Sequence, residues 1–438
     1  MKTHKHHDTT SLNGRTSWPK WQSGLVLLSA AALAANGAVS TADADPPADR
    51  TFLVVTSHLA AQSPEWQDVS AALADKHAHE ARVIRLSARA DLTNELAAIR
   101  VARPTHVAFV MRPEEVVFPS VVALKRMMRA LDDDPYDDAI WGIVTGPTAE
   151  AARRIASSRE PRTITAMLAT TGVSDSVISG SIACLDDRPP GSWRVKSADG
   201  AIVRHPATND LSHVFADAWN DLDPDFIITG FHASQRNLEM PFGRGNIVPR
   251  GGVFQTLPNA KLIDYSTGQA KKDALRNRHG MTRLKEPGRE KVWLAVGNCL
   301  IADNLRSGEN MVMTALGFGK VNQFVGYTAT TWFGEIGWTT WSLFREGHSL
   351  VDAYFTANRR LIRELEETMP EAKDFLPVFK NAKDYEQLIR TANAFGPLAR
   401  VTDKRKAIGR LWDRDATVFY GDPLQKVYLN SAGSPERR

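Results

Sequence analysis

Cysteine is scarce in this chain: Cys184 and Cys299 are the only two among 438 residues. That count excludes a disulfide framework and leaves room for one bridge, which would consume both thiols. Long apolar runs are scarce too. The stretch over residues 25–35 falls short of the ~20 residues that cross a membrane as a helix. Lys2, Lys5, Arg15 and Lys20 precede it, and small residues follow at Ala38-Val39-Ser40 and Ala42-Asp43-Ala44. This is the layout of a secretory signal peptide, expected over residues 1–44, with export to the periplasm or the extracellular space. No arginine pair leads into the run and no lipid-accepting cysteine follows it, so the general secretory route is the simplest assignment. An uncleaved membrane anchor is the alternative. His4, His6 and His7 belong to the leader on this reading and are not expected to bind metal.

An excess of one charge is also missing. Taking the leader's four Lys/Arg and two Asp from the chain's 54 basic and 50 acidic residues leaves a nearly neutral remainder. No dense basic stripe interleaved with aromatics appears, so nucleic acid is not an expected partner. Internal repeats are absent. The remaining ~390 residues can bury a large core, and a hydrophobic share of 43% is ordinary for a globular protein.

What the chain does contain is alternation. Short apolar runs at residues 52–55, 83–86, 106–110, 140–144, 164–168, 226–229 and 292–296 alternate with segments of helical period at 65–77, 92–103, 120–131 and 148–157. That order predicts an α/β fold with an open, largely parallel sheet covered by helices on both faces. The expected parts are an N-terminal α/β subdomain at 45–158, a second α/β subdomain at 159–345, a helical C-terminal part at 346–430 and a disordered tail at 431–438. The polar stretch 191–210, with its turn at Gly200, predicts a hairpin inserted before the 226–229 strand. Further expectations are a helix over 309–317, a strand over 321–327, helices over 349–368 and 380–395, and a short strand over 417–420.

Cys299 follows the 292–296 run, and His232 follows the 226–229 run, each after a glycine. In a parallel sheet such strands end at one carboxyl edge, where reacting groups collect. A thiol is mostly protonated at neutral pH, and a neighbouring imidazole favours the nucleophilic thiolate, so the pair is a candidate catalytic dyad. The plainer reading is a buried cysteine and a structural histidine. Cys184, in Ser181-Ile182-Ala183-Cys184, reads as structural.

The segments Ile227-Ile228-Thr229-Gly230-Phe231-His232-Ala233-Ser234 and Trp293-Leu294-Ala295-Val296-Gly297-Asn298-Cys299-Leu300-Ile301-Ala302-Asp303 resemble the histidine and cysteine segments of gingipain-type, caspase-like cysteine peptidases. Tyr136-Asp137-Asp138-Ala139-Ile140-Trp141-Gly142-Ile143-Val144 and Thr417-Val418-Phe419-Tyr420-Gly421-Asp422-Pro423 resemble other family segments in the same order, over roughly residues 51–429. The resemblance implies Cys299 as nucleophile, His232 as general base and acid, and backbone N–H groups of Ala233 and Cys299 as oxyanion donors. It also implies Trp332 as a wall of the pocket for the residue before the scissile bond, with Trp338 and Trp341 as weaker candidates. Glu335 in the same segment reads as an exposed loop carboxylate, with contact to a basic side chain as its alternative. Two departures stand out. Ala233 replaces the family's common glycine, a change that matters if φ there is positive. The interval from His232 to Cys299 is long and holds a basic insertion, Lys271-Lys272-Asp273-Ala274-Leu275-Arg276-Asn277-Arg278-His279-Gly280, readable as a solvated loop or a gating segment.

No third acid is assignable; Asp303 and Glu239 lie near the motifs in sequence only. Asp132-Asp133-Asp134-Pro135 lacks the spacing of a calcium loop and reads as a solvated turn. No cofactor or metal is expected. The function expected is a secreted cysteine endopeptidase acting on peptide or protein substrates. Its alternatives are a non-catalytic cell-envelope binding protein on the same scaffold and a cysteine-dependent acyltransferase.

Overall fold

Each expected apolar run but 164–168 falls on a single strand of a computed structural model, whose described residues are 50–158, 162–258, 263–264, 269–270, 280–305, 309–331, 334–370 and 404–430. The expected leader, the tail 431–438, most of the basic insertion and the 380–395 helix lie outside these residues. Twelve strands build one sheet: β1 (Thr51–Thr56), β2 (Arg82–Ser87), β3 (His106–Val110), β4 (Ile140–Val144), β5 (Ala166–Ala169), β6 (Ser181–Cys184), β7 (Trp193–Lys196), β8 (Ile202–His205), β9 (Phe226–Thr229), β10 (Lys291–Ala295), β11 (Val321–Tyr327) and β12 (Thr417–Tyr420). Their spatial order is β2-β1-β3-β4-β12-β11-β10-β9-β5-β6-β7-β8. Pairing is parallel through β2-β1-β3-β4 and through β11-β10-β9-β5-β6. The hairpin expected before β9 is β7 and β8, which close one end as antiparallel strands. Strands such as β3, β5, β9 and β10 are buried along their whole length. They read as continuous apolar runs because helices cover both sheet faces.

The helices start where short polar side chains can accept their orphan N–H groups. Thr148 caps Ala149–Ser157 from Ala151 N at 3.2 Å, and Ser349 caps Leu350–Thr368 from Asp352 N at 3.3 Å. Each such cap contributes about 1 kcal/mol. The expected 92–103 helix is a 3₁₀ turn, Leu92–Glu95, followed by Leu96–Ala102. The expected 120–131 helix spans Phe118–Met128 and stops before the acidic run. The 164–168 run divides in two. Asp225 accepts hydrogen bonds from the backbone N–H groups of Thr165 and Ala166 and bends the chain there. Arg162–Ile164 consequently leaves the main sheet and pairs with Val427–Leu429.

β12 comes from the last part of the chain yet sits in the middle of the sheet, antiparallel to β11 and bonded to β4 through Gly421 N and Ile143 O at 2.9 Å. A buried carboxylate stands at each of its ends. Asp415 meets Arg126 at 3.1 Å, in the last turn of the Phe118–Met128 helix, and Arg129 at 2.5 Å, the residue directly after that helix. Asp422 meets Lys76 and His77 at 2.7 Å, both at the end of the Pro64–His77 helix. Burial alone would raise the Asp422 carboxyl, but Lys76 and His77 hold it well below the usual carboxylate range. Asp415 is likewise held low, against burial, by Arg414, Arg129 and Arg126.

Candidate active site

β9 and β10 are neighbours in parallel register, with Thr229 opposite Ala295, so their carboxyl ends are level. Val296 N donates to Thr229 O at 2.8 Å and carries the pairing one step further. Gly230 follows at a tight point: a Cβ there would lie 3.0 Å from Thr171 Cβ and 3.2 Å from Val296 Cγ2, so a side chain would have to push these neighbours aside. Beyond the glycines the two loops are tied together. Trp293 Nε1 donates to Thr229 Oγ1 at 3.0 Å, the Thr229 hydroxyl donates to Asn298 Oδ1 at 2.6 Å, and Asn298 Nδ2 donates to Phe231 O. Asn298 directly precedes Cys299, and Phe231 directly precedes His232. The structure thus brings these two sequence-selected residues onto adjacent loops at one edge.

His232 is exposed. It opens a hairpin in which Ala233 pairs with Leu238 and Ser234 with Asn237, and Glu239 N donates to His232 O at 2.9 Å. In an antiparallel ladder bonded and non-bonded pairs alternate, which turns the Ala233 N–H away from its hairpin partner. Among the described residues the non-glycine positions with positive φ are Arg103, Asp223, Phe242, Leu300 and Lys320. Ala233 has ordinary backbone geometry, so the missing glycine carries no strain.

Leu300, immediately after Cys299, has φ 59°. A left-handed conformation costs a residue with a side chain about 1–2 kcal/mol. Packing holds it there: Leu300 is buried against Phe118, Val122, Tyr327 and Ala329, and its N–H donates to Ala329 O at 3.1 Å. The bend this makes leaves Cys299 partly buried at the rim of that cluster. Its thiol donates to Thr331 O at 3.7 Å. Burial pushes the thiol up to about 11, and the Asp413 carboxylate adds to the rise against a lowering contribution from the Thr331 backbone. In this state Cys299 is a thiol at neutral pH.

Cys184 is different. It is wholly buried inside β6, and burial raises its thiol as well. Both cysteines are free. β9 and β5 lie between β10 and β6, so the two thiols are separated by three strand spacings, about 14 Å, well beyond bridging distance.

The remaining candidates are distributed as follows. Trp332 lies outside the described residues. Trp338 is exposed, and its Nε1 would lie 3.9 Å from a Cβ on Gly297; Trp341 is core, stacked on Phe226 at 6.0 Å. Glu335 is the first residue of the Glu335–Arg345 helix rather than an exposed loop carboxylate. Arg410 grips both its oxygens, at 2.9 and 3.1 Å from Nε. The acid offered to a basic substrate side chain is therefore engaged within the protein. Asp303 accepts from Gln235 Nε2 at 2.8 Å, and Glu239 is buried across the hairpin from His232. Asp132, Asp134 and Asp138 bring carboxylate oxygens within 4.8 Å of one another, the first two exposed, ahead of β4 and away from Cys299. A groove of about 530 Å³ lined by Ala123, Arg126, Arg129, Ile362 and Leu365 also lies apart from the Cys299 edge. Among the described residues no helix is long and apolar enough to cross a membrane.

Sequence reasoning missed Thr331 and Asp413. Asp413 sits in a charged helix, Lys404–Ala416, whose pattern marks it as one more surface residue, yet it is fully buried.

No family model and no curated protein matches this chain. Among solved structures it is similar to the complex of the pro- and mature domains of Porphyromonas gingivalis RgpB, at 10% identity and TM-score 0.46 over 85% of this chain and 78% of that one. It is also similar to a structure named as that of a protease, at 10% identity and TM-score 0.43 over 86% of this chain and 78% of that one. At that identity the likeness concerns the path of the chain; the site rests on the geometry above.

Proposed function

We propose that the protein is an exported cysteine endopeptidase in which Cys299 attacks a peptide carbonyl and His232 serves first as base and then as acid. The observation that carries this reading is the tie from Asn298 to Phe231, which joins the loops of thiol and imidazole at the level ends of β9 and β10. His232 takes the proton of Cys299 as the sulfur attacks, giving a tetrahedral oxyanion. Backbone N–H groups of Ala233 and Cys299 receive its charge. The imidazolium then protonates the leaving amine, and water, deprotonated by the same imidazole, hydrolyses the thioester. Trp332 supplies a pocket wall on this reading. With Glu335 engaged by Arg410, a basic side chain at the pocket has no support from that residue.

The thiol raised to about 11 favours the second reading, a non-catalytic envelope protein with an inert thiol. The experiment that separates the two is the pH dependence of Cys299 alkylation in His232→Ala, beside turnover of a peptide library. The dyad predicts slower alkylation near neutrality and turnover lowered by about 10²–10⁴-fold, the usual worth of a positioned base. An unchanged alkylation profile in a folded variant would reject the dyad and leave the binding protein as the reading.

A further inference from the structure

We propose that Asp413 is a positioning residue for Cys299: acting through Thr331, it fixes the residue whose carbonyl receives the S–H and sets a negative charge beside the sulfur. The proposal takes from the preceding section only the role of Cys299 as nucleophile.

The Asp413 carboxylate is fully buried and faces two groups at once. Its Oδ1 accepts from the Thr331 hydroxyl at 3.1 Å, and its Oδ2 accepts from Glu335 N at 3.4 Å, at the start of the Glu335–Arg345 helix. A helix N-terminus favours the charged form of a carboxylate. The Thr331 hydroxyl in turn accepts from Gly334 N at 3.0 Å. Gly334 has φ 67° and leaves no room for a side chain, since a Cβ would lie 2.5 Å from Val296 O. The clasp of Thr331, Gly334, Glu335 and Asp413 is therefore pressed against the strand end that presents Cys299. The backbone of Thr331 is also the hydrogen-bond partner of the thiol. One carboxylate from the C-terminal helix thus fixes the residue that receives the S–H, and places a negative charge where a thiolate would add a second.

Charged and titratable groups on the elements that pack nearby have partners of their own. Arg410 neutralises Glu335. Lys125 donates to Thr417 Oγ1 and Asn358 Oδ1. Arg126, Arg129 and Arg414 surround Asp415. Asp303 is held by Gln235, the Tyr327 hydroxyl accepts from Gly337 N, and His232 lies on the neighbouring loop. Burial and then Asp413 push the Tyr327 phenol upward, as they do the thiol. A nucleophile kept as a thiol resists oxidation and stray alkylation, because both need the thiolate. Proton transfer to His232 then accompanies attack on substrate.

The test is the rate of Cys299 alkylation by iodoacetamide as a function of pH in the full chain, with the site of modification read by mass spectrometry. Asp413→Asn should move the profile toward lower pH and raise the rate at pH 7.5 about tenfold, one decade per unit of displacement. Thr331→Val, which removes the hydroxyl link and keeps the carboxylate, should move it in the same direction by a smaller step, raising the rate at pH 7.5 about threefold. A residue with a merely structural role would leave the profile in place, so a folded Asp413→Asn protein that alkylates like the parent overturns the proposal. If that variant does not fold, Thr331→Val decides, and a parental profile there overturns it equally. Peptide hydrolysis absent throughout, with the profile displaced, would sink the peptidase reading and leave the role of Asp413 standing.

Discussion

Cys184 and Cys299 are both placed by short buried strands of one sheet, but Cys184 is the last residue within β6, whereas Cys299 lies four residues beyond the end of β10. The strand buries Cys184 completely and gives its sulfur two carbonyls, Thr171 O at 3.7 Å and Asp186 O at 3.6 Å. It behaves as a small apolar side chain. Cys299 rides a bend held by Leu300 in a left-handed conformation, with a glycine before it, a tied asparagine beside it and a clasp from another helix. Position relative to the strand end, rather than residue type or burial alone, is what makes one of the two thiols presentable to a substrate.

The strongest way to break this comparison is to exchange the roles. Cys299→Ala should lose peptide hydrolysis by at least about 10³-fold, whereas Cys184→Ala should stay within about threefold of the parent and lose about 1 kcal/mol of stability from the small cavity. Turnover of a peptide library and denaturant midpoints read both effects. An inactive but folded Cys184→Ala protein would end the distinction between a structural and a nucleophilic thiol.

A second effect should separate the two regions by stability. Asp422 anchors the central strand β12, which lies beside β11 and close to the Cys299 loop, while β6 lies toward the far end of the sheet. Asp422→Asn leaves Lys76 and His77 facing a neutral group and should cost about 3 kcal/mol at pH 7. Because the folded carboxyl is held below its unfolded value, its contribution is present above about pH 4 and is lost as pH falls further. The variant should therefore show a shallower loss of stability between about pH 4 and pH 2 than the parent, measured by denaturation at each pH. Alkylation in mild denaturant should reach Cys299 before Cys184; simultaneous labelling would mean that β12 does not couple to one thiol in particular.

The smallest expected effect sharpens the comparison at the site itself. Asn298→Ala cuts the tie to Phe231 and should lower turnover about 10- to 100-fold through misplacement of the dyad, with about 1 kcal/mol lost in stability. Equal turnover in the parent and this variant would show that the strands alone set the geometry.

The sequence by itself determined the elements, because local chemistry decides them. Continuous apolar runs such as 226–229 and 292–296 can only be buried strands between helices, and Thr148 and Ser349 announce helix starts by what their hydroxyls can accept. The edge that carries the loops of His232 and Cys299 was legible for the same reason, since parallel strands end together. The tertiary structure alone decided the central place of β12, the division of the 164–168 run by Asp225, and the partners of Glu335 and Asp413. In each case a charged or polar group is satisfied by a residue distant in the chain, and the chain's local pattern carries no record of that distance. A carboxylate in Trp412-Asp413-Arg414-Asp415 reads as solvated until packing removes the water, and only the fold says which residue replaces it.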